Sequence, residues 1–159
     1  MTMEKIINNS ISEYDDAYAT CEKTYATLCI YLPDQSDPNT VSDQLGLIPS
    51  RIQKKGEIRE GKTMHWPTAW FLTTDDEIQS KDVRRHIDWL IEQLTGMDEI
   101  ISKLLSNNSK IIISCYWLSS VGHGGPILSP KIMGRLGELN IGIEFDVYFD
   151  RGDAKEEQN

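Results

Sequence analysis

Apolar and polar residues along this chain repeat with two periods, and the periods divide it into strands and helices. Tyr25-Ala26-Thr27-Leu28-Cys29-Ile30-Tyr31-Leu32 is β-branched and aromatic, is closed by Pro33 and Asp34, and predicts a first strand. Asp37-Pro38 reads as a helix start with proline at the first helical position. Val41, Leu45 and Ile48 carry that short helix to about Gly46. The run from His65 to Thr74 predicts a further strand, with Trp66 and Trp70 along it and Pro67 near its start, where a missing N–H is tolerated. From about Ser80 to Leu105, Val83, Ile87, Leu90, Ile91, Leu94, Ile101 and Leu104 form one stripe. That stripe predicts the longest helix, with a core-facing surface that Thr95-Gly96 is placed to kink or split.

The last third is the most informative. Ile111 to Leu118 predicts a buried strand, and Gly122-His123-Gly124-Gly125 a tight reversal, read as a hairpin turn that uses the positive φ open to glycine. Ser129-Pro130 opens a short helix, and Ile141 to Phe149 closes as another strand.

A weak internal echo links the halves. Cys29-Ile30-Tyr31 is followed by Asp37-Pro38 and Leu45-Gly46-Leu47, and Cys115-Tyr116-Trp117 by Ser129-Pro130 and Leu136-Gly137. Each half offers a strand, a proline-opened short helix and another strand. Two such units predict an α+β fold: a mostly antiparallel sheet with helices packed on one face, a ferredoxin-like or related sandwich with two weakly similar halves. No glycine-rich turn joins a strand directly to a helix, which disfavours a doubly wound dinucleotide fold. Residues 1–20 are polar without a sustained period and read as a flexible arm. Residues 21–150 read as one domain, and 151–159 as a disordered acidic tail.

Charge narrows the partner list. The chain has 159 residues with 25 acidic and 16 basic side chains, a net charge of −9. Binding phosphates needs a basic surface, so nucleic acid and anionic membrane are not expected as partners, whereas a basic protein is. No stretch approaches the roughly 20 apolar residues of a spanning helix, and the first residues lack the apolar run of a signal peptide. Cys21, Cys29 and Cys115 make an odd number, read as reduced thiols of a cytoplasmic protein.

Reaction chemistry finds no foothold. The Gly122–Gly125 run lacks the spacing of a phosphate loop or a dinucleotide fingerprint. Cys115 with His123 reads as a core thiol near a turn rather than a nucleophile and its base. The histidines and cysteines show no metal-ligand spacing, and no pair of carboxylates is placed across a substrate. No catalytic residue, metal or cofactor is therefore expected. The tryptophans Trp66, Trp70, Trp89 and Trp117 read first as core, although aromatics on a sheet also line ligand pockets. Arg51 and Lys55, from the locally basic stretch between Pro49 and Pro67, join Trp70 and Trp117 as ligand-binding candidates.

Tyr25 to Tyr31, Asp37-Pro38, Leu45-Gly46-Leu47-Ile48-Pro49-Ser50-Arg51, Lys55-Gly56, Trp70, His86-Ile87-Asp88-Trp89-Leu90, Ser129-Pro130 and Phe145-Asp146-Val147-Tyr148 together carry a resemblance. From about Tyr25 to Phe149 the chain resembles the bacterial domain-of-unknown-function family numbered 4279. The resemblance implies a small bacterial domain in which Arg51, Lys55, Gly56 and Trp70 fall in a recurring block, and it brings no catalytic residues. By analogy of type, a small acidic domain of this build also looks like an immunity partner of a secreted toxin. The expected function is a non-enzymatic binding protein, an immunity-type inhibitor of a basic toxin, with Asp15, Asp16, Asp75, Asp76 and Glu77 meeting the partner. The alternative is a ligand-binding module or small enzyme in which Arg51, Lys55, Trp70 and Trp117 converge on a concave pocket.

Overall fold

The computed structural model describes residues 14–149. The chain runs β1 (Cys21–Tyr31), α1 (Asn39–Leu45), β2 (Arg51–Gln53), β3 (Ile58–Arg59), β4 (Lys62–Thr63), β5 (Ala69–Thr73), α2 (Val83–Gln93), α3 (Asp98–Ser106), β6 (Lys110–Ser119), α4 (Pro130–Leu139) and β7 (Gly142–Phe149). Five strands form one sheet in the order β2-β5-β1-β6-β7, while β3 and β4 make a separate ribbon. The pairs β1/β5, β1/β6 and β2/β5 are antiparallel and β6/β7 is parallel. The class is α+β.

Without β7, the order β2-β5-β1-β6 with helices after β1 and after β5 is the split β-α-β-β-α-β arrangement of ferredoxin-like sandwiches. α4 then carries the chain back to add β7 parallel to β6, because parallel neighbours need such a crossover. The echo between the halves corresponds to β1-α1-β2 and β6-α4-β7. They differ in that β5 inserts between β1 and β2, whereas β7 lies directly beside β6.

Local chemistry sets the helix ends. The Asp37 carboxylate accepts the N–H of Asn39 at 3.0 Å ahead of α1, and Gly46 closes that helix at φ +65°. Asp82 caps α2 by accepting from the N–H of Arg84. Ser129 caps α4 through the N–H of Ile132, with Pro130 at the first helical position. The apolar stripe from Val83 to Leu104 spans two helices rather than one. Gly96 at φ +78° takes a conformation no helix interior accepts, and α2 ends before it while α3 begins after it.

The helices pack on one face of the sheet. Ala26, Leu28 and Ile30 of β1, Trp70 and Leu72 of β5, and Ile111, Ile113 and Cys115 of β6 meet Val41, Leu45, Ile87, Leu90, Leu94, Ile101, Ile132 and Leu136 in one core. Strand alternation sends the intervening residues to the other face, which no described helix covers. Cys29, Ala69, Phe71 and Ile112 form a small apolar cluster there, beside Tyr31.

Three expectations change. The strand foreseen from His65 begins only at Ala69, so Trp66 lies outside the sheet and its indole donates to Glu57 at 3.2 Å. The Gly122–Gly125 run is not a hairpin turn; it lies in the loop from β6 to α4, and the positive φ values of Gly122 and Gly124 serve that loop. Residues 14–20 of the expected arm are tied down. The Asp15 N–H donates to Asp82 at 2.8 Å, Tyr14 donates to Asp88, Asp16 pairs with Arg85 at 2.8 Å, and Tyr18 donates to the carbonyl of Gly125 at 3.0 Å. Residues 1–13 and the expected tail at 151–159 lie outside the described residues.

Candidate functional site

Arg51, Lys55, Trp70 and Trp117 do not converge. Trp70 and Trp117 are 0% and 1% exposed on the helix face, and the Trp70 indole donates to the Ser42 hydroxyl at 3.0 Å. Arg51 stands opposite Phe71, one residue from Trp70, and the pleat therefore puts it on the other face. Its guanidinium lies 4.3 Å from the Phe71 ring centre. Lys55 is exposed and pairs with Asp34 at 2.9 Å. The same strand alternation that buries the tryptophans turns Arg51 away from them.

The expected partner-binding carboxylates are partly brought together. Asp16, Asp75 and Asp76 line one cleft of about 670 Å³, where β1 begins and β5 ends, and the irregular register between Cys21 and Lys23 brings Glu22 to the same rim. Asp15 and Glu77 lie nearby in sequence but do not line it. Two of the three are engaged within the chain. Asp16 accepts from Arg85 and Ser80, whose hydrogen bonds hold its carboxyl below the usual range, and Asp75 pairs with Lys23 at 3.0 Å. Asp76 and Glu22 form no ion pair among the described residues.

A feature that the strand reading passed over sits beside this cleft. On the face that no described helix covers, Tyr25 of β1 stacks on Tyr116 of β6, with ring centres 4.9 Å apart and planes at 12°. Tyr116 in turn meets Tyr148 of β7 at 5.2 Å. The stack is flanked by charge: Lys23 lies over Tyr25 at 5.4 Å and is paired with Asp75, and Tyr148 donates to Asp146 at 3.0 Å. Burial first, and then the field of Asp75, raises the Tyr25 phenol above its ordinary value. For Tyr148 the hydrogen bond to Asp146 is the leading cause of the same shift. Tyr25 and Tyr116 alternate with buried residues of β1 and β6, so an aromatic at an outward position of each strand was the signal that pointed to them. Tyr148 lies between the exposed Val147 and Phe149 and carried no such signal.

The thiol of Cys115 is pushed up to about 12 by burial, and those of Cys21 and Cys29 to about 11, so none is a ready nucleophile. His86, which strand and helix periodicity left as part of a helix, is buried: its Nδ1 lies 2.6 Å from the Thr74 hydroxyl and its Nε2 2.9 Å from the Ser80 carbonyl. A carbonyl only accepts, so Nε2 carries the proton and Thr74 donates to Nδ1. Both nitrogens are committed to holding β5 to the start of α2. Among the described residues, no three side chains of ligand type gather to hold a metal. No described helix is long and apolar enough to cross a membrane.

Neither the curated proteins nor the solved structures include a match to the chain. A family model does match, over residues 22–150, which takes in all of the sandwich's strands and helices except Cys21 at the start of β1, together with the tyrosine stack and most of the acidic cleft. The chain belongs to the family described as Domain of unknown function (DUF4279).

Proposed function

We propose that this domain is a non-enzymatic binding protein for a partner with a basic surface, in the manner of an immunity-type inhibitor of a basic toxin. The observation that carries the reading is the stack of Tyr25, Tyr116 and Tyr148 on the sheet face that no described helix covers, set between carboxylates at Asp75 and Asp146. Aromatic faces attract cations, by about 0.5–1 kcal/mol at exposed sites and more when water is excluded. Lys23, held over Tyr25 with Asp75 beside it, is an internal instance of the recognition that a partner lysine or arginine would repeat. Tyrosine is enriched among residues that dominate binding energy, and the net charge of −9 would steer a basic protein towards the surface. The reading through Arg51, Lys55, Trp70 and Trp117 has less support, because those side chains lie on both faces of the sheet.

The test is capture from extracts of the native host with the immobilised full chain, in parallel with Tyr148→Ala and Asp76→Asn. The expected result is one basic protein retained in stoichiometric amount, released as salt rises and weakened by both substitutions. Co-expression should then suppress the toxicity of that protein. Retention indifferent to Tyr148, Asp76 and salt would overturn the reading.

A further inference from the structure

We propose that β7 is the interface of a homodimer, in which two copies pair their free β7 edges antiparallel about a two-fold axis at Val147. Four of the nine large apolar side chains exposed among the described residues, Phe145, Val147, Tyr148 and Phe149, lie in this one strand of eight. β6 occupies one edge of β7, and no described strand pairs with the other. Edge strands that remain unpaired are usually short, bulged, or guarded by lysine or proline. At the far edge of the sheet, β2 fits that description, with three residues following Pro49-Ser50. β7 has eight residues, contains neither lysine nor proline, and keeps an unbroken register with β6 from Gly142 to Phe149.

The side chains also choose the register. In a symmetric antiparallel pairing the two-fold axis stands normal to the sheet, so opposing residues share a face and the axis passes through one residue and its own copy. Phe145, Val147 and Phe149 lie beside Cys115, Trp117 and Ser119 on the helix face, while Glu144, Asp146 and Tyr148 lie on the other. An axis at Phe145 would set Glu144 against Asp146 of the second copy, twice. An axis at Asp146 would set that carboxylate against itself. Like charges directly opposite destabilise a pair, which disfavours both. An axis at Val147 sets Phe145 against Phe149, Val147 against Val147, and Asp146 against Tyr148, whose phenol already donates to a carboxylate in its own strand. Apolar meets apolar on the helix face, and on the other each Asp146 faces a neutral phenol instead of a second carboxylate. Because both copies carry the same net charge of −9, screening should strengthen this dimer, the reverse of what a basic partner would show.

Sedimentation equilibrium of the purified full chain tests the association, and cysteine cross-linking tests the register. The expected mass rises with concentration from one chain of 18.1 kDa towards two, and rises further at high salt. Val147→Lys should return the mass to one chain while circular dichroism stays unchanged. Under mild oxidation Val147→Cys should give covalent dimers, since α-carbons directly opposite lie about 4.5–5.5 Å apart, within disulfide reach. Phe145→Cys and Asp146→Cys should not, and the native cysteines are all buried and silent. A single-chain mass at every concentration and salt, a dimer that Val147→Lys leaves intact, or cross-linking through Phe145→Cys or Asp146→Cys in place of Val147→Cys would each overturn the proposal. A dimer that dissociates as salt rises would do the same.

Discussion

Thr20 and Gly124 meet so closely that a side chain on the glycine has no room. A β-carbon at Gly124 would sit 2.4 Å from the Thr20 hydroxyl oxygen and 2.7 Å from its Cβ, and Gly124 holds φ at +90°. The contact pins the loop after β6 to the segment that leads into β1, next to the hydrogen bond from Tyr18 to Gly125. Gly124→Ala is expected to cost about 2–4 kcal/mol, from the left-handed backbone and the overlap together. Gly96→Ala is the control: it has a similar φ of +78° but open space, and should cost about 1–2 kcal/mol. Urea unfolding of the two variants checks the difference.

The acid limb of stability should depend on Asp82. Its carboxylate is 1% exposed, caps α2, and takes the Arg84 guanidinium together with the N–H of Asp15. Burial alone would raise its pKa, but those hydrogen bonds and the neighbouring charge win and hold it below the usual range. A depressed folded value means that the stabilisation is present above the unfolded carboxyl's pKa, about 3.9, and is lost as pH falls below it. Asp82→Ala should cost about 3–5 kcal/mol at neutral pH, the usual effect of removing one member of a buried pair. The variant should also show a shallower fall in stability below pH about 4 in acid unfolding curves.

A second pH effect comes from His86, whose pKa burial lowers. The unfolded chain then takes up the proton more readily than the folded one. Stability is therefore complete above the unfolded histidine value, about 6.5, and declines as pH falls below it. Thermal unfolding between pH 7 and 5 should show this decline, reduced in His86→Gln. The imidazole resonance of His86 should titrate below the ordinary histidine value of about 6.5.

Trp70 and Arg51 separate core from surface. Trp70→Phe removes the indole that donates to Ser42 and leaves a smaller ring in a fully buried site, and should cost about 1–3 kcal/mol. Arg51→Ala loses an exposed contact with Phe71 and a hydrogen bond to Gln53, and should stay within about 1 kcal/mol of the parent chain. Chemical denaturation of both variants reads the contrast.

Periodicity was a good guide wherever one face of an element is buried. It located the strands of the main sheet except the short β2, placed Gly46 and Ser129-Pro130 at helix ends, and marked Gly96 as the break between α2 and α3. It was weaker where long-range contacts decide. Residues 14–20 look like a frayed arm because their stabilising partners, Asp82, Arg85, Asp88 and Gly125, are distant in sequence. The candidate site failed to appear for a related reason. Tyr25, Tyr116 and Tyr148 come from three strands, and only the register of β1 on β6 and of β6 on β7 makes them a stack. Arg51 and Trp70 looked like neighbours because both lie in strands that pair, but the pleat puts them on opposite sides.

The insertion of β5 between β1 and β2 has a kinetic consequence. The central strand β1 bonds to β5 and β6, neither of which is the next strand in the chain, and the tightest hairpin, β3 with β4, lies outside the main sheet. Most of the stabilising pairs thus close long loops, whose entropy must be lost before the contacts form. The domain should fold slowly for its size. During synthesis β1 cannot be paired on both edges until Ser119 has emerged, so its apolar residues stay in need of protection until β6 is complete.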